Sequence, residues 1–358
     1  MSRFHKVKIK KVKKELNDCV TVSLDIPEEL KADFQFAHGQ YLTFKKFENG
    51  EELRRSYSIC TSPVEGEWKV AIKKVPEGRF STFANDFLKA GEEVEVMPPM
   101  GRFTTELNAE HAKHYVMFAA GSGITPVLSI LKTVLFKEPK SSVTLIYGNR
   151  GRNSIIFKEE IEALKNKYVD RLSVHHILSR EHGDTEILFG RIDKQKTELI
   201  LDKIVKPENI DEAFICGPEE MIHAVRETLE AAGIDKKHIH FELFTTADGE
   251  RKKQVLKERP AGSDDKQSHV TIKLDGAKIE MDMSYYGGTI LEAALEHGAD
   301  LPYSCKGGMC STCRAKILKG KVEMDVNYSL EPDEVAQGYV LTCQSRPVSD
   351  VVEVDFDV

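Results

Sequence analysis

Three closely spaced cysteines and a pair of glycines decide the fold of the C-terminal part of the chain: Tyr303-Ser304-Cys305-Lys306-Gly307-Gly308-Met309-Cys310-Ser311-Thr312-Cys313. The cysteine spacing is C-x4-C-x2-C, and a fourth cysteine, Cys343, follows after 29 intervening residues. A tight loop with this spacing directs three thiolates at two irons, and a thiolate from a distant segment completes the ligand set. Gly307 and Gly308 allow positive φ angles, so that backbone N–H groups can turn toward sulfur. The pattern predicts a [2Fe–2S] cluster with four thiolate ligands: Cys305, Cys310, Cys313 and Cys343.

A structural zinc site is the competing interpretation of these four cysteines. Such a site usually pairs two short C-x2-4-C segments, whereas Cys343 stands alone. Hydrogen bonds to sulfur help to set the reduction potential of an iron–sulfur cluster. The loop contains three candidate hydroxyl donors for this purpose: Ser304, Ser311 and Thr312.

The composition is typical of a globular protein with several domains in a reducing compartment. The chain has 358 residues, enough for two or three domains, with 41% hydrophobic and 30% charged residues. Its other cysteines, Cys19, Cys60 and Cys216, are scattered and indicate no disulfide framework, so a cytoplasmic location is expected. A net charge of −7 gives no basic footprint for nucleic acid. No apolar run approaches the roughly 18 residues of a membrane span, and no signal peptide is visible.

Residues 1–106 are predicted to form an antiparallel β-barrel. Short alternating segments such as 20–26 are separated by turns, including Asn49-Gly50. Many short strands at this spacing are typical of barrels. In the lysine-rich start of the chain, Val7 and Ile9 alternate with the lysines, which predicts a strand rather than a targeting arm.

Two segments of this barrel have side chains suited to a bound nucleotide: Arg55-Ser56-Tyr57-Ser58 and Gly78-Arg79-Phe80-Ser81-Thr82. An Arg side chain binds pyrophosphate bidentately, and a Tyr ring lies well against a flat heterocycle. The second segment is a glycine turn that leads into a helix N-terminus, whose free N–H groups suit an anion. A surface Arg and an ordinary capping Ser are the alternative interpretation.

Residues 107–247 alternate strands and helices, which predicts a doubly wound parallel sheet with ligand space at the carboxyl ends of its strands. The apolar run 115–120 is predicted to be a strand buried on both faces. It leads into Gly121-Ser122-Gly123-Ile124-Thr125-Pro126, and a later strand, 213–216, leads into Gly217-Pro218. Glycines at such turns let a cofactor phosphate approach, although a purely structural glycine turn is about as common.

The choice between NADPH and NADH depends on recognition of the 2′-phosphate. An acidic residue after the second strand would favour NADH. The chain instead has Arg150 there, and Ser179-Arg180 follows the third strand. A hydroxyl group and guanidinium groups suit a phosphate, which favours NADPH and leaves NADH as the alternative.

The remaining sequence predicts a tether and a small C-terminal domain. Residues 248–268 are rich in charge and poor in apolar side chains, which is typical of a linker. Residues 269–358 predict a mixed sheet crossed by one helix, with Thr289 as the helix cap and a hairpin at Asp275-Gly276. This arrangement matches the β-grasp fold that the cysteine spacing suggests for a ferredoxin domain.

The barrel segments 38–42, 55–58 and 78–82, in their order and spacing, resemble the flavin domain of the ferredoxin–NADP reductase superfamily. The resemblance implies FAD as a cofactor, with FMN as an alternative, because some relatives with a fused ferredoxin use it. It implies that Arg55 holds the flavin pyrophosphate, that Tyr57 packs on the isoalloxazine ring and that Ser58 approaches its N5 atom.

The middle part of the chain is similar to the pyridine-nucleotide domain of the same superfamily. The resemblance rests on the segment 120–126 and on Cys216-Gly217-Pro218, and it implies that both loops flank the nicotinamide and the pyrophosphate. The segment 241–244 resembles the E-x-F segment that lies beside the flavin in this superfamily, which adds Phe244 to the candidate site residues. An ordinary closing strand is the alternative for this last segment.

The domain order, together with three stretches of sequence, resembles the reductase subunits of multicomponent oxygenases: 147–150, 214–218 and 327–334. The resemblance implies electron transfer from NAD(P)H through the flavin and the cluster to a separate di-iron oxygenase. Reductases that serve other di-iron or Rieske aromatic oxygenases are similar and stay open as alternatives. Because the cofactors carry the redox chemistry, no side chain is expected to act as an obligatory acid or base.

Two other classes are compatible with individual motifs. The first is a binding or sensing module that a metal stabilises and that has no redox turnover. Flavin-like and cluster-like absorbance would exclude it. The second is a free-standing NAD(P)H oxidase or flavin reductase, in which the fused ferredoxin domain would have no purpose.

Overall fold

The computed structural model describes residues 4–182, 185–244 and 266–358. Contacts divide the chain into two compact units. One unit consists of Phe4–Leu53 and Tyr57–Phe244, and the other consists mainly of the described residues from 266 onward. No helix in the described ranges has the length and apolar content needed to cross a membrane.

An antiparallel six-stranded barrel forms the first part of the larger unit. Its elements are β1 (His5–Leu16), β2 (Cys19–Asp25), β3 (Tyr41–Glu48), β4 (Glu51–Ser58), β5 (Trp68–Lys73), α1 (Arg79–Asp86) and β6 (Glu93–Val96). The strand order is β4-β3-β6-β1-β2-β5. An antiparallel bridge between Ile59 and Val70 joins the two ends of this sheet. The lysine-rich start is a strand as expected, and it lies between β6 and β2 rather than at an edge.

A five-stranded parallel sheet flanked by helices forms the second part of the same unit. Its elements are β7 (His114–Ala120), α2 (Ile124–Lys137), β8 (Ser142–Asn149), α3 (Lys158–Lys167), β9 (Leu172–Leu178), α4 (Lys194–Lys203), β10 (Glu212–Gly217), α5 (Glu219–Ala231) and β11 (Ile239–Leu243). The order β11-β10-β7-β8-β9 places a topological switch point between β7 and β10. The loops that follow β7 and β10 therefore lie next to each other at the carboxyl ends of these two strands.

Helix α3 begins later than the sequence pattern indicates. The pattern predicts a helix from Ile155, but residues 152–154 form a 3-10 turn and Phe157 has a φ angle of 60°. Ile155, Ile156 and Phe157 are buried in the core of this domain. Their apolar spacing reflects packing of an irregular turn rather than a helical face.

The C-terminal unit is a mixed sheet crossed by one longer helix. Its elements are β12 (Gln267–Leu274), β13 (Ala277–Ser284), α6 (Ile290–Glu296), β14 (Arg314–Lys319), β15 (Val322–Met324), α7 (Pro332–Ala336), β16 (Tyr339–Leu341), β17 (Ser345–Pro347) and β18 (Val351–Asp355). The main sheet has the order β13-β12-β18-β14-β16, with β12 and β18 parallel. Thr289 caps α6 through a capping box with Glu292, and Ile290, Leu291 and Ala294 are buried.

The predicted fold class is confirmed: an antiparallel flavin-type barrel, a doubly wound nucleotide domain and a ferredoxin-type domain. Most of the predicted linker, 248–268, lies outside the described residues. Its last two positions, Gln267 and Ser268, begin strand β12.

Candidate functional site

The four cysteines of the C-terminal unit come together as two pairs of thiols. The Cys310 thiol hydrogen-bonds to Cys305, and the Cys313 thiol hydrogen-bonds to Cys343. Within the described ranges, no three His, Cys, Asp or Glu side chains are arranged to hold one metal ion. A mononuclear zinc site needs four donors around a single centre, whereas a binuclear cluster takes two thiolates at each iron. The paired arrangement therefore fits a [2Fe–2S] cluster.

The cysteine loop directs its own N–H and O–H groups at the cysteine sulfurs. Cys305 Sγ accepts from the Gly307 and Met309 N–H groups at 3.3 and 3.4 Å. Cys310 Sγ accepts from the Thr312 hydroxyl at 3.1 Å, as predicted for that residue. Hydrogen bonds from Cys310 and from the backbone lower the pKa of the Cys305 thiol to about 6, which favours the thiolate that binds iron.

The loop obtains its positive φ angles from residues other than those predicted. Gly308 has a φ angle of 75° as expected, but Lys306 (51°) and Ser311 (53°) take the other left-handed positions instead of Gly307. Lys306 and Ser311 each place a side chain in a conformation that costs roughly 1–2 kcal/mol. Favourable interactions of the loop in its cluster-binding conformation have to offset this free-energy cost.

The aromatic residues of the candidate flavin site form a contiguous group on the barrel. The Tyr57 ring lies 5.9 Å from the Phe44 ring and 5.7 Å from the Phe80 ring, measured between centroids. The Arg55 side chain is exposed, and the Ser58 side chain is buried. A half-buried Tyr ring beside an exposed guanidinium suits a cofactor with a flat ring and a phosphate.

The turn before α1 starts the helix without a side-chain cap. Gly78 precedes the helix, and a Cβ atom at this position would overlap Ser81 Oγ and Val75 Cγ2. The Thr82 N–H closes the first helical turn on Gly78 O, and the Ser81 hydroxyl donates to the same oxygen. The Arg79 side chain points away from this turn. Its guanidinium group forms ion pairs at 2.5 Å with Glu48 and with Glu51 at the end of the β3–β4 hairpin.

The two predicted nucleotide loops lie in direct contact. A Cβ atom at Gly123 would overlap Cys216 O, and one at Gly217 would lie 3.1 Å from Ala120 Cβ. Gly121 has a φ angle of 53° and open space beside it. The Thr125 hydroxyl donates to Ser122 O at 3.0 Å, and Pro126 lies in the first turn of α2. Gly123 and Gly217 are therefore required by close packing, whereas Gly121 has open space beside it, and Pro218 opens the next helix.

Glu242 is the acidic residue of the segment 241–244 that resembles the E-x-F segment, but it was not among the predicted site residues. It lies opposite Cys216 in the parallel pairing of β10 with β11, and its Oε2 atom accepts a hydrogen bond from Ser58 Oγ at 3.3 Å. Burial raises the pKa of this carboxyl group to about 8. Burial and the nearby Glu242 raise the pKa of the Cys216 thiol well above its usual value. The available signal was the resemblance of 241–244 to the E-x-F segment, in which Glu242 is the acidic residue.

Phe244, which was a predicted site residue, directly follows β11. It is half-buried and packs against the hydrophobic core of the nucleotide domain.

Basic side chains lie at the carboxyl ends of β8 and β9. The Arg180 N–H donates to Arg150 O, and the Ser179 N–H donates to Asn149 O, each at 2.9 Å. Both guanidinium groups are on exposed residues. Glu181 Oε1 accepts from the Arg152 N–H at 3.1 Å, which fixes the turn beside them. The two strands therefore bring Arg150 and Arg180 to one edge of the sheet.

Three domain families match the chain in the order of the observed domains. An oxidoreductase FAD-binding domain matches residues 6–105, an oxidoreductase NAD-binding domain matches 117–227, and a 2Fe-2S iron-sulfur cluster binding domain matches 272–348.

Full-length relatives are reductase components of oxygenase systems. The chain is 45% identical over 357 residues to one of the subunits of the 1,2-phenylacetyl-CoA epoxidase of Escherichia coli (strain K12), covering 100% of this chain and 99% of that protein. It is 33% identical over 351 residues to the ferredoxin reductase component of the 3-ketosteroid-9-alpha-monooxygenase of Rhodococcus rhodochrous, covering 96% and 95%. Among solved structures, phthalate dioxygenase reductase has the same fold, with a TM-score of 0.58, 23% identity, and coverage of 99% and 98%.

Proposed function

The chain belongs to the family of oxygenase reductases that join an FAD-binding, an NAD-binding and a [2Fe–2S] domain, and from this premise we propose that it supplies electrons to a di-iron epoxidase acting on phenylacetyl-CoA. Identity of 45% over the whole length with a component of such an epoxidase supports this partner over the steroid monooxygenase, for which the identity is 33%. A cytoplasmic location is proposed as well, since none of the seven cysteines, all of which lie in the described ranges, forms a disulfide.

The paired thiols are the observation that carries the electron-transfer function. When bound, FAD would supply the exchange between the two-electron chemistry of a reduced nicotinamide and the one-electron chemistry of a [2Fe–2S] cluster, which Cys305, Cys310, Cys313 and Cys343 would hold. The residues of the chain bind and orient these groups. Tyr57 and Ser58 form a surface for the flavin ring, and the Gly78 turn offers N–H groups to the pyrophosphate.

The contact between Gly123 and Cys216 supports a nicotinamide position beside the flavin site. Strand β10 ends at Gly217, and its neighbour β11 carries Glu242, whose carboxyl group reaches Ser58 of the barrel. Ser58, Cys216 and Glu242 thus lie together at the carboxyl end of β10, next to the proposed position of the flavin ring. At neutral pH the raised pKa of Glu242 keeps a proton on its carboxyl group.

We propose NADPH as the electron donor. Two exposed guanidinium groups at one sheet edge, Arg150 and Arg180, with the Ser179 hydroxyl beside them, support a site for the 2′-phosphate.

Reconstitution with separately purified oxygenase components tests the proposed partner. With NADPH, the protein is expected to support epoxidation of phenylacetyl-CoA by the epoxidase oxygenase component at a much higher rate than hydroxylation by a ketosteroid monooxygenase oxygenase component. Equal or reversed rates would exclude the epoxidase as the preferred partner. The electron-transfer function would still stand if either reaction depended on the protein.

A further inference from the structure

The fourth cysteine ligand is followed by a buried glutamine that faces the cluster loop. Gln344 is 4% exposed. Its Nε2 atom donates to Lys306 O at 3.0 Å and to Cys343 O at 2.8 Å, and it lies 3.6 Å from Cys343 Sγ. One side-chain amide therefore contacts the cysteine loop, the backbone of the fourth ligand and its sulfur.

The backbone of Gln344 is anchored on both sides. Its N–H donates to Leu341 O, and its carbonyl accepts from the Asp325 N–H, both at 2.8 Å. A Cβ atom at Gly308 would lie 3.2 Å from Gln344 Cγ, so the small residue in the loop leaves space for this side chain. The amide is thus held in place rather than free to rotate toward solvent.

The donors described for Cys305 and Cys310 come from the loop itself, whereas the Cys313 sulfur accepts from the Cys343 N–H. Cys343 comes from a separate segment, and its sulfur accepts from the Gly308 N–H as well as from Gln344. Hydrogen bonds to cluster sulfurs stabilise the more negative, reduced form and raise the potential. The carbonyl of Lys306 would also lose its buried partner without this amide.

We propose that Gln344 is a positioning residue, which bridges the two cluster-binding segments and raises the reduction potential of the cluster through Cys343. The proposal rests on the assignment of a [2Fe–2S] cluster to the four cysteines. Gln344 is not itself one of the four ligands of the cluster.

The test is an anaerobic redox titration followed by electron paramagnetic resonance, which does not depend on turnover. Gln344→Met keeps the length of the side chain and removes both N–H donors. At the midpoint potential of the unchanged protein, the ratio of reduced to oxidised cluster is expected to fall by about threefold to tenfold, where tenfold is about 59 mV for one electron. Release of iron to a chelator is expected to become faster. Gln337→Met, an exposed glutamine in the same domain, is the matched control.

Gln344→Glu serves as a second variant, because it keeps the shape and places a negative charge near the thiolate. Its potential is expected to fall as well. Unchanged potential and unchanged iron release in both variants would overturn the proposal. If neither variant retains a cluster while circular dichroism and the Gln337→Met control are normal, the bridging role is supported. An unchanged protein that shows no [2Fe–2S] signal after reduction would instead overturn the cluster assignment.

Discussion

Ser58 Oγ lies 3.3 Å from Glu242 Oε2 and donates a hydrogen bond to it, although 184 positions separate the two residues in the chain. Ser58 ends strand β4 of the barrel, and Glu242 lies in the last strand of the parallel sheet. The contact places an ionisable group of the nucleotide domain beside the residue implied to face flavin N5.

The raised pKa of Glu242 predicts a pH dependence of stability. Burial moves the pKa from the ordinary 4.5 to about 8 in the folded protein. Between these values the folded state holds a proton that the unfolded state has lost, so stability falls as pH rises, by at most about 1.4 kcal/mol per pH unit from this group. Glu242→Gln is expected to flatten the dependence in thermal unfolding of flavin-free protein from pH 5 to 9. The exposed Glu227→Gln control should leave it unchanged. A slope that survives in Glu242→Gln would assign the dependence to other groups.

Loss of one cluster ligand should separate the two electron-transfer steps. Cys310→Ser is expected to abolish electron transfer to the oxygenase, because the thiol pair with Cys305 is broken, while NADPH-dependent reduction of ferricyanide persists. Cys19→Ser, which changes a buried thiol of the barrel, is the control and should keep both activities. If both activities of Cys310→Ser vanished with the flavin still bound, the order of carriers would be wrong.

Removal of a guanidinium group tests the phosphate site. Arg180→Ala is expected to raise KM for NADPH by about tenfold or more, as the loss of a charge-assisted hydrogen bond implies, with little change for NADH. Lys203→Ala removes an exposed charge in the same domain and is the control. Equal effects of Arg180→Ala on the two nucleotides in steady-state kinetics would remove this residue from phosphate recognition.

Because the two nucleotide loops are in close contact, one methyl group added at Gly123 is expected to have a large effect on stability and nucleotide binding. Gly123→Ala would place its Cβ atom against Cys216 O and is expected to cost about 1–3 kcal/mol and to weaken nucleotide binding. Gly121→Ala has open space and only a strained φ angle, so its effect on the unfolding temperature should be smaller. A larger loss of stability for Gly121→Ala would mean that the loops do not touch as described.

Short-range patterns predicted much of this architecture. The strand run 115–120, the helix cap at Thr289 and the hairpin at Asp275-Gly276 depend on neighbours within a few positions, and the structure contains all three. The predicted start of helix α3 at Ile155 was wrong. The buried apolar residues 155–157 have the spacing of a helical face but do not form a helix.

Sequence alone predicted the ligand set of the cluster and determined the order of the domains, because cysteine spacing and the alternation of strands and helices are properties of contiguous chain. Only the tertiary structure decided that Glu242 meets Ser58 and that Gln344 reaches Lys306. Those contacts join segments far apart in the chain, and strand register and packing, which no local pattern encodes, set the distances between them.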